Sequence, residues 1–294
     1  MLSFSHAAIA GDFEDGVVAY EKQDFATALR LWTPLAEQGN AVAQSNLGWM
    51  YDKGRAVTQD YKTAVKWYTL AAEQGNAKAQ FNLGWMYNKG QGVAQDYKTA
   101  VKWYTLSAEQ EYADAQLRLA FMYHDGEDVA QDYKTAVKWY TLAADQGNVS
   151  AQVNLGEIYA YGQGVAQDYN TAVKWYTLAA EQGIAFAQSN LGLMYDQGRG
   201  VAQDYKTSVK WYTLAAEQGI AQAQFNLGNK YANGQGIAQD YVKAHMWWNI
   251  AAIDGDADAI KNRDIVAKKM TPAQIEKAQE AASRCIKQNF KNCD

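Results

Sequence analysis

The chain has 294 residues and a formal net charge of −5, with a pI near 5.3, 48% hydrophobic residues and 20% charged residues. This composition is typical of a folded protein, and it excludes a largely disordered chain and one that binds nucleic acid through its overall charge. No run of residues approaches the ~20 apolar residues that a membrane-spanning helix needs, so no membrane span is predicted.

The N-terminal segment MLSFSHAAIA is short and apolar, and it ends in the small-x-small pattern Ala8-Ile9-Ala10 just before Gly11. Signal-peptidase sites have this pattern, although no basic segment precedes it here. We therefore expect residues 1–10 to be the remnant of a signal peptide and the protein to be periplasmic or secreted. The alternative is a natural disordered N-terminus, with alanines there by chance, on a cytoplasmic protein.

Aromatic residues recur along the chain with a period of 36 residues. The segment QDYKTAVKWYTLAAEQG returns almost unchanged, and the pattern AQxNLGxMYxxGxGVA lies between its copies. Repeats of this length indicate stacked supersecondary units. The repeated tyrosines are Tyr61, Tyr97, Tyr133, Tyr169, Tyr205 and Tyr241, and the repeated tryptophans are Trp67, Trp103, Trp139, Trp175, Trp211 and Trp247.

Each repeat is predicted to form two helices. In the first regular copy, one helix runs from about Ala41 to Lys53. The other starts after Asp60, which can cap it, and ends before Gly75, which suits a left-handed residue. Apolar residues of the second helix form one stripe. Glycine recurs in the middle of the first helix, where it costs ~1 kcal/mol relative to alanine, so we expect close helix-on-helix approach there. The stripe contains Tyr61, Ala64, Val65, Tyr68, Ala71 and Ala72; the glycines are Gly48, Gly84, Gly156, Gly192 and Gly228, with Ala120 as the exception.

One helix pair of this size cannot bury its stripe alone, so neighbouring pairs must stack. The prediction is an all-α fold, a right-handed α-solenoid of 36-residue helix-turn-helix repeats with a C-terminal helical cap. Residues 11–39 form a variant first pair with a shorter connection, residues 40–255 form six regular repeats, and residues 256–294 form the capping helices.

The last helix is predicted to start at Thr271, because the sequence TPAQ combines a capping-box pattern with proline at the first helical position, and to run to about Lys287. Continuous helix would hold Cys285 and Cys293 ~12 Å apart, so a disulfide requires the chain to fold back after this helix. Such a bridge suits a terminal cap in an oxidising compartment. The alternative is two free thiols on a frayed tail.

The segments AQSNLGWMYDKG and DYKTAVKWYTLAAEQGNA resemble the Sel-1-like repeat family, a branch of the tetratricopeptide superfamily. The resemblance extends from Gly11 to about Asp258, and the first pair is more similar to an ordinary tetratricopeptide unit. It implies a protein-binding scaffold, often at the bacterial envelope or secreted, without a common catalytic activity. The chain departs from the pattern at Glu111, where other copies have glycine, and in the loops at 54–56 and 126–128, which lack a second glycine. We expect those loops to be altered or looser.

No catalytic, metal-binding or cofactor-binding motif occurs in the sequence. The three histidines lie far apart in the repeat order, and there is no HExxH, GxSxG or P-loop pattern. The stretch GQGVAQ is glycine-rich, but it joins two helices and is predicted to be a turn. We therefore predict a protein that is not an enzyme and that needs no cofactor or metal.

In the tetratricopeptide arrangement that the chain resembles, the first helix of each pair lines a concave surface. The positions that would face it in the first regular repeat are Val42, Ser45, Trp49, Asp52 and Lys53, and these positions vary most between copies. In the first half of the chain they are rich in aromatic residues, and an exposed aromatic patch usually marks a partner site. The alternative is that these aromatics pack in the core. The predicted partner-binding residues are Trp49, Phe81, Trp85, Lys89, Leu117, Arg118, Phe121, Asn46 and Asn82.

A column of asparagines is a second candidate feature of the first helices. Amide side chains in a row can hold the backbone of an extended peptide, and Arg118 beside Lys89 can hold a carboxylate. The alternative is that so regular an asparagine bonds the backbone of the next repeat. The column consists of Asn46, Asn82, Asn154, Asn190 and Asn226, with Arg118 in the third place.

These features predict a binding scaffold whose concave face takes a protein or peptide. The alternative is an envelope protein that binds a cell-wall glycan or glycopeptide through the same aromatics, because Trp and Phe faces also stack on sugars. We expect no nucleic-acid partner and a monomeric protein.

Overall fold

The computed structural model describes residues 3–126, 129–291 and 293, and for residues 3–10 and 254 it describes the backbone alone. The residues it describes form sixteen α-helices and no β-strand, and the chain divides into two compact units. Unit 1 (residues 1–146) contains α1 (Ser3–Glu21), α2 (Phe25–Glu37), α3 (Ala41–Lys53), α4 (Tyr61–Glu73), α5 (Ala77–Lys89), α6 (Tyr97–Ala108), α7 (Ala113–Asp125) and α8 (Tyr133–Asp145). Unit 2 (residues 147–294) contains α9 (Val149–Tyr161), α10 (Tyr169–Glu181), α11 (Ala185–Gln197), α12 (Tyr205–Ala216), α13 (Ala221–Asn233), α14 (Tyr241–Ala251), α15 (Ala257–Ala267) and α16 (Pro272–Lys287).

Within each unit the helices pack in series. In unit 1 each helix from α1 to α7 packs against the next one, and in unit 2 the same holds from α9 to α13, while α14 packs against both α15 and α16. Helix pairs stacked in sequence order are the architecture of an α-solenoid, so the predicted fold class is confirmed. In the part of the chain that the structure describes, no helix has the length and apolar character to cross a membrane.

The predicted aspartate caps the second helix of each regular repeat. In α4, Asp60 Oδ1 accepts hydrogen bonds from the backbone N–H groups of Lys62 (2.9 Å) and Thr63 (3.2 Å). Thr63 Oγ1 donates a further bond to Asp60 Oδ2 at 2.6 Å, an interaction that the sequence analysis missed. The hydroxyl bond, followed by the backbone bond of the same threonine, holds the pKa of Asp60 below its usual value.

The mid-helix glycines make room for an aromatic ring. A methyl group added at Gly84 would lie 2.8 Å from Cδ1 of Tyr104, and one at Gly48 would lie 2.6 Å from Cδ1 of Tyr68. Both tyrosines are fully buried. The predicted close approach is therefore real, but its main partner is the tyrosine of the second helix rather than helix backbone. The same contact joins Gly156 to Tyr176, Gly192 to Tyr212 and Gly228 to Trp248.

Two residues keep the glycine conformation without being glycine. Glu111 has φ +62° where Gly75 of the preceding repeat has φ +88°, and Ala56 has φ +56° where Gly92 has φ +73°. The expectation of an altered backbone is therefore wrong at these two positions. Residues 127–128 of the other departing loop lie outside the described residues. The stack imposes the local backbone, and each side chain bears the steric cost of a left-handed conformation.

The variant Glu111→Gly should raise the free energy of unfolding by about 1 kcal/mol, because glycine adopts this conformation without the cost that a Cβ atom imposes. Urea denaturation measures the change. Gly75→Glu is the matched reverse exchange and should lower the unfolding free energy, because it places a Cβ atom on a left-handed residue. No neighbouring atom lies within 4 Å of that Cβ, so the backbone conformation is the only steric cost. A stability unchanged by Glu111→Gly would contradict the expectation.

Buried glutamines join consecutive repeats. Gln44 donates through Nε2 to the carbonyl oxygen of Ala36 (3.0 Å), and its Oε1 accepts from Gln74 Nε2 (2.7 Å). This pattern recurs at the equivalent residues Gln80 and Gln110. Gln44 and Gln80 each donate to a carbonyl of the previous repeat and accept from a glutamine amide of their own repeat. These bonds fix the register between neighbouring helix pairs.

A buried lysine forms an ion pair in unit 2, at a position that methionine or isoleucine holds in the other regular copies. Lys230 is 4% exposed, and its ammonium group pairs with the carboxylate of Asp196 on α11. The ammonium also bonds Gln235 Oε1 at 3.1 Å and lies 4.6 Å from the ring centroid of Tyr205. Removing the carboxylate of Asp196 would leave the ammonium of Lys230 buried without its counter-charge, which is strongly destabilising.

Helix α16 begins and ends where the sequence predicts. Gln274 N donates to Thr271 Oγ1 at 3.3 Å, and Thr271 N donates to Gln274 Oε1 at 2.8 Å, which completes the capping box. The helix ends at Lys287.

After α16 the chain turns back on itself. Asn289 and Phe290 both have positive φ values, of 52° and 64°. A disulfide joins Cys285 to Cys293, with their Cα atoms 4.9 Å apart. The ring of Phe290 lies against Gly219 at the turn between α12 and α13, so the tail is tied to the body of unit 2.

His245 occupies a buried position in α14 that valine holds in the preceding copies. It is 3% exposed, and burial is the main cause that lowers its pKa below the ordinary value. The guanidinium of Arg263 lowers it further, while the carboxylate of Asp264 acts in the opposite direction. The equivalent residues are Val65, Val101, Val137, Val173 and Val209.

Because the pKa of His245 is lower in the folded chain than in the unfolded one, the unfolded state takes up this proton first. The contribution of neutral His245 to stability is therefore complete above about pH 6.5 and is lost as the pH falls below that value. His245→Val should make the unfolding free energy less dependent on pH between about 5 and 7. Denaturant titrations at several pH values test this, and an equal slope in both proteins would contradict it.

Candidate partner-binding surface

The predicted partner-binding residues lie on three first helices of unit 1. Helices α3, α5 and α7 carry Trp49, Trp85 and Phe121 at equivalent positions, each directly after the small mid-helix residue. Equivalent positions share one helix face, so the three aromatics belong to one surface. We call these three residues, together with Lys89 and Arg118, the aromatic surface of unit 1.

Trp85 is the exposed member of this surface. Its side chain is 39% exposed, and every other aromatic side chain described in unit 1 is half-buried or buried. The ammonium group of Lys89, one turn further along α5, lies over the indole at 5.1 Å from the ring centroid. Trp85 and Lys89 therefore present an apolar face and a positive charge side by side.

Trp49, Phe81 and Phe121 are half-buried against neighbouring aromatic rings. Trp49 packs on Tyr20 and Phe25 of the first pair, with ring centroids 5.2 Å and 6.0 Å apart. The structure therefore places their outer edges, rather than whole rings, at the surface. Phe81 lies 5.4 Å from Tyr112 and 5.6 Å from Tyr104, and Phe121 meets Tyr140 edge-on at 5.5 Å.

Arg118 is held next to α5. Its Nη2 donates to Oδ1 of Asn88 at 3.4 Å, and Asn88 is the residue before Lys89. Arg118 and Leu117 are half-buried, whereas Lys89 is exposed. This bond brings a guanidinium on α7 to the end of α5 that carries Lys89.

Two members of the asparagine column bond their own helix, so at these two positions the alternative of a bond to the next repeat is wrong. Asn154 Nδ2 donates to the carbonyl oxygen of Ser150 at 2.7 Å, and Asn190 Nδ2 donates to that of Phe186 at 3.0 Å, so each bonds its own helix. Asn46 and Asn82 are half-buried. A bond within one turn leaves the amide oxygen available to another donor.

Some of the variable first-helix positions are closed to a partner. Ser45, Asp52 and Asn88 are buried, with exposures of 2%, 8% and 2%. The expectation that all variable positions of this helix face an open surface is therefore wrong, because these side chains pack between neighbouring helices. Variation at these positions changes contacts between repeats rather than contacts with a partner.

Unit 2 contains a small aromatic pocket that was not predicted from the sequence. Tyr161 is 68% exposed and lies beside Tyr169 and Tyr176 around a cavity of about 60 Å³. The guanidinium of Arg199 covers the ring of Tyr169 at 5.4 Å. The sequence does contain a signal for this contact, because an arginine follows an aromatic residue by thirty positions in both halves of the chain. Arg55 lies over the ring of Phe25 at 5.5 Å, just as Arg199 lies over Tyr169.

A larger cavity of about 400 Å³ lies at the C-terminal cap of unit 2, between the start of α14, helix α16 and the disulfide. No sequence pattern predicted this cavity, because its residues come from three separate segments. In the described part of the chain, no group of three or more His, Cys, Asp or Glu side chains is placed to hold a metal ion.

A family model, the Sel1 repeat, matches seven consecutive segments: residues 11–40, 41–76, 77–112, 113–148, 149–184, 185–220 and 221–256. The first match includes the pair that the sequence analysis set apart as tetratricopeptide-like. The chain is similar to a solved Sel1 repeat protein from Oxalobacter formigenes, at 35% identity over 82% of this chain and 96% of that one, with a TM-score of 0.65. It is also similar to a protective antigen present in uropathogenic Escherichia coli strains that displays an SLR fold, at 31% identity over 97% of this chain and 70% of that one, with a TM-score of 0.60. No curated protein matches the sequence.

The stability of two alanine variants should distinguish surface from core. Tyr104→Ala removes a fully buried ring and should cost about 3–5 kcal/mol of unfolding free energy. Trp85→Ala, on the neighbouring helix of the same repeat, should cost less than half of that because much of its side chain is already in water. Urea denaturation compares the two, and equal losses would place Trp85 in the core.

Proposed function

The chain belongs to the Sel1 repeat family, and we propose that it binds an extended peptide segment of a partner protein at the aromatic surface of unit 1. The observation that carries the proposal is the exposure of Trp85 among half-buried neighbours. An exposed indole on a rigid helix offers a large apolar contact at a small loss of conformational entropy, which is typical of binding hot spots.

The charges beside Trp85 indicate what the segment carries. Lys89 lies over the indole, and Arg118 on α7 bonds Asn88, the residue before Lys89. Together these two cations at one end of α5 favour an apolar side chain with a neighbouring carboxylate. They also favour a peptide over the glycan alternative, because the ammonium of Lys89 covers an indole face on which a sugar ring would stack.

A peptide array probed with the purified protein, followed by titration of the best acidic-apolar peptide, tests this function. Trp85→Ala should weaken binding by about 30-fold, which corresponds to about 2 kcal/mol. Leu106→Ala is the matched control, because Leu106 is an equally exposed apolar side chain on the other helix of the repeat, and it should change little.

Two outcomes would contradict the peptide proposal. The first is a peptide affinity that Trp85→Ala leaves unchanged. The second is binding of muropeptides, but of no array peptide, that depends on Trp85, which would establish the glycan alternative instead.

We further propose that the protein acts outside the cytoplasm as a binding protein without catalytic activity. The Cys285–Cys293 bridge supports an oxidising compartment, since structural disulfides are rare in the reducing cytosol. Thiol titration of denatured protein isolated from its native cells tests this. No reactive thiol is expected, and two reactive thiols would contradict it.

A further inference from the structure

We propose that unit 2 holds an extended acidic peptide segment by two aromatic side chains about six residues apart, which enter two equivalent cavities. Each cavity lies beside an alanine near the end of a first helix, Ala160 on α9 and Ala232 on α13, and we call the two cavities the alanine pockets. They share no residue with the aromatic surface of unit 1, so this proposal and the proposed function stand independently.

The two alanine pockets have the same construction, two repeats apart. Tyr169 and Tyr176 of α10 line the first pocket, and the equivalent residues Tyr241 and Trp248 of α14 line the second. The first cavity encloses about 60 Å³ and the second about 250 Å³. The same pair of rings at both places indicates one kind of contact that unit 2 can make twice, rather than two unrelated gaps.

The pockets are open because alanine holds a position that carries a larger side chain in other repeats. The equivalent residue of the third regular repeat is His124. Its imidazole lies 5.3 Å from the ring centroid of Tyr133 and 6.1 Å from that of Tyr140. These two tyrosines are equivalent to the two that line the first alanine pocket. A planar ring therefore fits the space that the alanine leaves empty.

The other regular repeats also fill this position with a side chain of their own. In the repeat between the two pockets, Asp196 replaces the alanine, and its partner Lys230 lies 4.6 Å from the ring centroid of Tyr205. Asp52 and Asn88 hold the position in the first two regular repeats, and both are buried. Ala160 and Ala232 are thus the two copies that leave space beside the rings for a side chain of another molecule.

A cation lies over a tyrosine ring at each pocket. The guanidinium of Arg199 lies 5.4 Å from the ring centroid of Tyr169 and forms no ion pair with any residue that the structure describes. At the second pocket the ammonium of Lys269 lies 5.5 Å from the ring centroid of Tyr241, although it comes from a different position of the repeat. These cations disfavour a basic side chain in either pocket, and a carboxylate next to the entering ring can pair with Arg199.

Equivalent asparagines offer a bond to a peptide backbone at both pockets. Asn190 lines the first pocket and Asn262 lines the second. Asn190 Nδ2 donates to the carbonyl oxygen of Phe186 at 3.0 Å, and Asn262 Nδ2 donates to Oδ1 of Asn229 at 3.3 Å. The Oδ1 atom of each can still accept from a backbone N–H of a bound segment. An acceptor beside each ring pocket matches the regular N–H groups of an extended peptide.

The distance between the pockets sets the spacing of the two aromatic side chains. The first pocket lies between α9 and α11, and the second lies between α13 and α15, so two steps along the first helices separate them. Neighbouring packed helices are ~8–10 Å apart, which gives a separation of roughly 20 Å. An extended chain advances ~3.3 Å per residue with alternating side chains, so residues about six apart span this distance and point to the same side.

Calorimetric titration of the full chain with acetyl-Phe-Asp-Ser-Thr-Ser-Asp-Phe-amide, at about pH 8 so that introduced imidazoles are neutral, tests the alanine pockets. Ala160→His and Ala232→His each copy the third regular repeat and fill one pocket, so each should weaken binding at least tenfold. Ala166→His, at an exposed alanine of the loop before α10, is the matched control and should bind as the parent does. Thermal unfolding checks that all three variants keep the fold.

Tyr161→Ala tests the first pocket without adding a group to it. The side chain of Tyr161 lines this pocket and is 68% exposed, so the variant should keep the fold and bind the peptide at least threefold more weakly. The shorter peptide acetyl-Phe-Asp-Ser-Asp-Phe-amide cannot reach both pockets and should bind at least tenfold more weakly. The analogue with asparagine in place of both aspartates should bind at least threefold more weakly.

No binding at millimolar concentration, equal binding of the shorter peptide, or a loss in Ala166→His equal to that in the pocket variants would overturn the proposal. Equal binding of the asparagine analogue would overturn the assignment of an acidic segment. Displacement of the peptide by a tetramer of N-acetylglucosamine at the same concentration would overturn the assignment of a peptide. If Trp85→Ala abolishes binding and the pocket variants do not, the peptide occupies the aromatic surface of unit 1 and the proposal for unit 2 is wrong.

Discussion

The contact between a tyrosine ring and a glycine in the facing helix is the constraint on which four of the helix pairs depend, and in α13–α14 the ring is that of Trp248. Tyr104 lies so close to Gly84 that a methyl group there would come within 2.8 Å of the ring, and the ring is fully buried. This contact sets how α5 and α6 lie against each other. Because Trp85 directly follows Gly84, the same contact fixes the direction in which Trp85 leaves its helix, so the packing that holds the repeat together also presents its exposed aromatic.

Much of the fold was predictable because its determinants are local and repeated. The cap at Asp60, the left-handed Gly75 and the apolar stripe each depend on residues within one or two turns, and copies 36 residues apart gave independent evidence for each. The exposure of the site residues was less predictable, because it depends on neighbours that do not repeat. Trp49 is half-buried by Tyr20 and Phe25 of the irregular first pair, whereas Trp85 is exposed at the equivalent position.

Departures from the repeat show that stacking dominates over local preference. Glu111 and Ala56 adopt positive φ although neither is glycine, and Lys230 is buried where other copies have methionine or isoleucine. Backbone strain of this kind persists only where the surroundings determine the conformation. The lysine is tolerated for another reason, since Asp196 of the preceding first helix supplies its counter-charge. In a stack of near-identical units such a pair has no equivalent in another copy, so it favours one order of neighbours.

The C-terminal cap is built from segments that do not repeat, so its cavity could not be predicted from the sequence. An internal helix pair is covered by the next pair, but α14 must be covered by segments that do not repeat, so its neighbours come from α15, α16 and the tail. Such segments cannot be predicted by comparing copies, and a cavity between them depends on where the disulfide and Phe290 hold the tail. They are also free of the packing constraint that the glycine–tyrosine contact imposes on each repeat. Side chains on α16 can therefore differ from the repeat pattern without disturbing the stack.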